Sequence, residues 1–196
     1  VNAARCQMSR SLFAPVKAGS KSRLLYSGLA ASRGMDLAIA SLANFHGPES
    51  LIDLSVDYDQ RWRHDLRLDL RNPLSIQEGY IKLLPGARHL HYCMEAALAW
   101  RMEKGYDTGK HLANNALPQS IHIKTYAEAA KYCGLPKPHN RIQAQFSLQY
   151  ATCITLLTGE TSGKIFTDDN LNLLSVQQLL DRTKLTSDNS QSGRWA

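Results

Sequence analysis

Apolar residues recur at helical spacing in several stretches of this chain. Between residues 24 and 46, Leu37, Ala38, Leu42 and Phe45 mark one helical face. The small residues Gly28, Ala30, Ala31 and Gly34 precede them and permit a close neighbour, and Gly47-Pro48 predicts the stop. Residues 57–72 are dense in charge around Trp62 and predict an irregular bridge or an edge strand. The stretch "EGYIKLLP", residues 78–85, predicts a strand that Pro85 ends. Leu90, Cys93, Met94, Ala97, Leu98 and Met102 then mark one face of a helix beginning near His89.

The period changes at residues 119–126, "QSIHIKTY". Ile121, Ile123 and Thr125 point one way and His122, Lys124 and Tyr126 the other, which predicts a half-buried strand. "AEAAKYC" predicts a short helix that Gly134 stops, and "LPKPHN" a linker with two prolines. Phe146, Gln149, Tyr150, Cys153, Ile154 and Leu157 trace another helix, ending at Gly159. A last short helix at 176–182 is predicted with Ser175 as its cap, followed by a polar, frayed tail from Ser187.

Composition narrows the class. Apolar residues make up 43% of the 196, enough for a packed core. No run of 18 apolar residues occurs, so no membrane span is expected. The net charge of +6 fits either anionic partners or simple solubility. Its basic residues are scattered without aromatic interleaving, so nucleic acid is not indicated. Cys6, Cys93, Cys133 and Cys153 form no CxxC pair, which argues against a zinc site and for a reducing compartment. The first 23 residues carry five basic side chains and no acid, like a transit peptide. The chain nevertheless starts with Val1 rather than Met, so a processed end or upstream sequence is expected.

The unusual corner is "IKLLPGARHLHYCMEA", where Lys82, Arg88, His89 and His91 gather around a proline turn. The order Lys82-x-x-Pro85-x-x-Arg88-x-x-His91 followed by Glu95-Ala96 resembles the signature K-x-y-P-x-x-R-x-x-H-x-x-x-D-A of the MmgE/PrpD family. "RLLYSGLAASRGMDLAIASLANFHGPESL", "AQFSLQYATCITLLTG" and "VQQLLDRTKLTSD" resemble further family blocks, in order over about residues 20 to 188. Only the second half of a family member is covered. The resemblance implies an α+β fold: a small lid domain flanked by helices of an all-helical domain largely outside this chain. It implies that residues 1–56 end the helical domain, 57–140 form the lid, and 141–196 return to the helical domain and a polar tail. It also implies cofactor-free lyase chemistry on a small di- or tricarboxylic acid, by dehydration or decarboxylation, with this chain carrying part of the site. The implied compartment is the mitochondrial matrix or the bacterial cytoplasm.

By the same resemblance, Lys82 and Arg88 bind substrate carboxylates and His91 moves a proton or donates to substrate. Read from residues alone, Lys82 is an exposed strand lysine, Arg88 a turn cap or partner of Glu95, and His91 a ring tied to the turn. Glu95, four residues on, would orient His91. His89 lies off the signature and reads as structural. Tyr150 is either core or a hydroxyl facing the cleft as a catalytic group. Arg23 stands where the family has lysine, keeping the charge but unable to act as a base. The expected partner is a second copy or another subunit covering the helices at 30–46 and 143–158. The chain alone is expected to bind polycarboxylates weakly, without turnover. The rival reading is a catalytically silent scaffold built on the same fold.

Overall fold

A computed structural model describes residues 14–45 and 79–188 of the chain. The predicted stop at Gly47-Pro48, the charged bridge at 57–72, Cys6 and the end of the polar tail lie outside the described residues. The described residues fall into two compact units, one holding Ala14 and residues 21–45 and 79–81, the other residues 15–20 and 82–188.

The second unit begins with a short helix, α1 (Ala14–Lys17), whose Val16 is buried. In the first unit a 3₁₀ turn at Lys21–Leu25 leads into α2 (Tyr26–Leu42). The helix expected from spacing is present but stops earlier than Gly47. The Ala43 N–H bonds back to the Ala40 carbonyl, and Asn44 takes a left-handed φ of 62°. No residue of α2 is buried, and Leu42 is 86% exposed.

The second unit continues with α3 (Arg88–Glu103), β1 (Ile121–Tyr126), α4 (Ala127–Cys133) and α5 (Arg141–Ala144). It ends with α6 (Leu148–Thr158), α7 (Asp168–Leu171), α8 (Leu174–Asp181) and β2 (Thr183–Asp188). The mixture is α+β, as expected. The predicted boundary near residue 140 falls inside this unit.

Every residue of α6 is buried. A helix apolar on all sides is stable only when surrounded. Leu90, Met94 and Ala97 of α3 belong to the shell around it, as do Ile165, Phe166, and Val176 and Leu179 of α8. The expected apolar face at 143–158 awaiting a partner is therefore corrected: this unit already covers it, with Leu157 2% exposed and Phe146 packed against the core.

Ser147 starts α6 by accepting from the Tyr150 N–H, while its hydroxyl donates to the Leu135 carbonyl. Gly159 ends it with a left-handed φ of 67°. Arg101 completes the end. Its guanidinium is wholly buried, with Nη1 donating to the Leu156 and Leu157 carbonyls and Nη2 to those of Asp107 and Lys110. The inward face of α3 thus runs Leu90, Met94, Ala97, Arg101. Met102, expected on that face, is 73% exposed, because the helical period from Met94 and Ala97 arrives at 101.

β1 and β2 pair in parallel, from Ile121 opposite Thr183 to Tyr126 opposite Asp188. Lys124 and Asp188 add an ion pair at 3.3 Å. Ser187 and Asp188, expected to begin the polar tail, are instead the end of this strand. Ser175 does not cap α8, which starts one residue earlier, with Leu173 in the cap position. Residues 79–85 form no strand: they are irregular, with Ile81 89% and Leu83 93% exposed, so among the described residues no packed face receives the alternating apolar residues.

Candidate functional site

The Pro85 turn brings two helix starts together. Gly86 has φ +83°, a conformation that L side chains rarely adopt, and a Cβ there would lie 2.9 Å from Leu90. The next residue, Ala87, donates its N–H to the Gln145 carbonyl at 3.0 Å, just before α6. At the far ends, Arg101 of α3 meets the last carbonyls of α6. The two helices therefore run side by side in one direction, with both N-termini at the corner. Neither has an acid in its first turn, so both positive helix ends are uncompensated by charge there.

Three of the five candidate residues meet at this corner. Lys82 is exposed, and its Nζ donates to the Gly86 carbonyl at 2.8 Å, closing the turn on itself. His91 lies one helical turn after Arg88. Burial and then Lys82 lower its pKa, while a hydrogen bond with the Leu84 backbone and the charge of Glu95 pull the other way. The ring is thus neutral near pH 7. Its Nε2 is buried with no hydrogen-bond partner among the described residues. Buried polar nitrogens are usually paired, and with the other ring nitrogen donating to the Leu84 backbone this one is a lone pair open to a proton or a hydroxyl donor. Arg88 opens α3, exposed, and its charge acts on His89 and Tyr126.

Tyr150 is elsewhere. It is fully buried, and its hydroxyl donates to the Ile165 carbonyl at 2.5 Å. Burial pushes its pKa up. Arg23 lies in the 3₁₀ turn of the other unit.

His89, expected to be structural, has a network of its own. Its Nδ1 is hydrogen-bonded to the Tyr126 hydroxyl, and its ring lies 6.5 Å from that of Tyr132, interplanar angle 22°. No local pattern announces a contact across 37 residues; the hint was Tyr126 on the polar face of β1. Among the described residues no three His, Cys, Asp or Glu side chains form a set able to hold a metal ion. No described helix is long and apolar enough to cross a membrane.

The MmgE/PrpD C-terminal domain matches residues 85–194, from the proline of the turn through α3, the sheet and α6. The chain belongs to the MmgE/PrpD family. It is 26% identical over 184 residues to cis-aconitate decarboxylase of Mus musculus, covering 88% of this chain and 36% of that protein. With cis-aconitate decarboxylase of Homo sapiens the identity is 25% over 178 residues, 86% of this chain and 35% of that protein. The chain thus spans about a third of the length of these curated relatives.

Proposed function

We propose that this MmgE/PrpD chain supplies one wall of a lyase site for a small di- or tricarboxylic acid, decarboxylated or dehydrated without a cofactor. The observation that carries the reading is the unpartnered, buried Nε2 of a neutral His91 beside the Lys82 ammonium. Lys82 exchanges its Gly86 carbonyl for a substrate carboxylate, a stronger acceptor because it is charged. Arg88 binds a second carboxylate at the start of α3. In dehydration neutral His91 takes the proton from the carbon beside the carboxylate and, as imidazolium, gives it to the departing hydroxyl, which leaves as water; in decarboxylation the bond to the departing carbon dioxide breaks and an imidazolium His91 supplies the proton to the carbon. The electron pair left on that carbon delocalises into the carboxylate, and the fixed positive charges stabilise it. Tyr150 is left out of this site, because its hydroxyl already serves the Ile165 carbonyl. Arg23 lies in the other unit and is given no part in this corner. The lid function of the corner and a mitochondrial or bacterial cytoplasmic setting belong to the same proposal.

The relatives' names favour cis-aconitate as the first acid to test. Turnover of cis-aconitate, 2-methylcitrate and related acids by the native protein is the measurement. Turnover of one of them, abolished in His91→Ala, is expected; inertness toward all of them refutes the reading.

The scaffold reading is favoured by one observation, the wholly unburied α2 with exposed Leu29, Met35, Ile39 and Leu42. Such a helix suits assembly with a second copy or another subunit. Sedimentation of the native protein alongside the turnover assay separates the two: an inert oligomer is a scaffold, an active one an enzyme.

A further inference from the structure

We propose that Gln143 is a positioning residue for the carboxylate corner: it clamps residues 15–20 onto the start of α5, and through the Gln145 carbonyl that clamp fixes where α3 begins. This rests on the reading above and extends it to a segment far from the corner in sequence.

The clamp is built from one amide. Gln143 Oε1 accepts the His139 N–H at 2.8 Å, and Nε2 donates to the Lys17 carbonyl at 2.9 Å, across 126 residues of sequence. Both ends of the side chain are thus engaged. Its backbone N–H donates to Asn140 Oδ1 at 3.0 Å, the cap of α5. On the other side of the contact, a Cβ added to Gly19 would collide with the Asn140 side chain. Gly19 has a φ of +67° and closes a turn in which its own N–H donates to the Val16 carbonyl and that of Ser20 to the Pro15 carbonyl. Val16, buried, anchors the segment. Helices of four residues are not stable alone, so α1 and α5 hold each other in place.

From α5 the path to the corner is short. The Phe146 N–H donates to the Gln143 carbonyl at 3.0 Å, and the Gln145 N–H to that of Arg141 at 3.2 Å. This turn sets the direction of the Gln145 carbonyl, which takes the Ala87 N–H at 3.0 Å. The Ala87 carbonyl in turn accepts the Leu90 N–H at 2.9 Å and closes the start of α3. There is little slack at the junction: a Cβ on Gly86 would lie 3.3 Å from the Gln145 oxygen and 3.1 Å from Phe166 Cζ. Arg88 follows Ala87 at once and His91 one turn later, so the directions of both side chains follow from this anchor. Every link from Lys17 to Ala87 is a hydrogen bond or a backbone turn closed by one, a contiguous route along which coupling can travel. The chain also passes from Ser20 straight into the 3₁₀ turn at Lys21–Leu25, so a pull on that stretch reaches the corner through the same clamp.

The test follows backbone amide exchange by NMR on the full chain, with tricarballylate, an unreactive tricarboxylate, as the binding probe. Gln143→Glu keeps the acceptor for His139 but loses the donor to the Lys17 carbonyl. It should speed exchange of the Ala87 amide about fivefold or more, the local protection of one hydrogen bond, while Ile154 in α6 keeps its rate. Gly19→Ala, which leaves Gln143 intact, should do the same. Lys17→Ala should be silent, because the clamp uses only the backbone of Lys17. Tricarballylate affinity should fall about three- to tenfold in Gln143→Glu and in Gly19→Ala. Unchanged exchange at Ala87 in both variants overturns the proposal. So does an equal acceleration at Ala87 and Ile154, the mark of a fold destabilised as a whole. If exchange at Ala87 rises and affinity holds, the clamp is structural and the positioning role falls. If Lys82→Ala weakens binding and Gln143→Glu does not, the carboxylate corner stands and this proposal alone is lost. If the parent protein does not bind tricarballylate, both fall.

Discussion

Replacing Arg101 with methionine should destabilise the second unit far more than its apparent polarity suggests. The side chain is buried completely and donates to four backbone carbonyls, at Leu156, Leu157, Asp107 and Lys110. Two of these are the last carbonyls of α6, which have no partner within their own helix. Methionine fills much of the volume but removes the donor from the Leu156, Asp107 and Lys110 carbonyls, while Leu157 keeps the Leu112 N–H. A hydrogen bond from a charged donor contributes about 1.5–3 kcal/mol. The four share one cation, whose own burial was unfavourable, so they do not add. Breaking a buried charged network costs about 3–5 kcal/mol in net terms. For a chain of this size each kcal/mol moves the melting temperature by roughly 2–4 °C. A thermal melt followed by far-ultraviolet circular dichroism should therefore fall on the order of 10 °C. Arg101→Lys should lie between, because one ammonium cannot reach both the helix end and the 107–110 loop. Gly159→Ala probes the same spot, since its Cβ would sit 2.7 Å from Arg101 Nε at a φ of +67°. Its cost should shrink in the Arg101→Met background, where the guanidinium is gone. If Arg101→Met melts within a degree or two of the parent, the helix end does not depend on this cation and the reasoning fails.

Ser147→Ala removes the cap of α6 and should cost about 1–2 kcal/mol, read as a lower midpoint in urea unfolding. Lys82→Ala in the native protein should weaken binding of a polycarboxylate by about one to two decades with the melt unchanged, because the side chain is exposed. Acid should destabilise the fold through His89 and His91. Both have folded pKa values below the unfolded value of about 6.5, so their contribution is complete above that pH and is lost as pH falls through the folded values. Melts between roughly pH 7 and 5 should show this fall, and the double variant His89→Gln/His91→Gln should flatten it.

Periodicity located the elements that bury a face. α3, β1, α4 and α6 were legible because Leu90, Met94, Ile123 and Ile154 recur at the spacing of their element and do reach the core. The same rule failed where apolar residues stay outside. Ile81 and Leu83 alternate as in a strand, but among the described residues no partner strand pairs with them. β2 failed for the opposite reason. "TKLTSD" has one large apolar residue, and its partner lies far away in sequence, so no local window displays the pairing. Arg101 was hidden because its acceptors are backbone carbonyls, which have no letter of their own. At the candidate site, Lys82, Arg88 and His91 were singled out through the spacing around Pro85. Tyr150 was legible as a buried ring, but which way its hydroxyl pointed was not. His89 and Tyr126 became a pair only when the fold joined α3 to the end of β1.

The parallel pairing of β1 with β2 also sets an order in time. Ile121 faces Thr183, so 62 residues must be made after β1 begins before its partner exists. At about 5–20 residues per second a ribosome takes roughly 3–12 s to do so. Throughout that interval β1 is a strand with bare edges, the kind of surface that recruits other chains. The helices α4 to α8 can form meanwhile, but none of them supplies the ladder. Synthesis of the second unit is therefore a wait for β2, and pauses just before Thr183 should send the nascent chain to chaperones or aggregates.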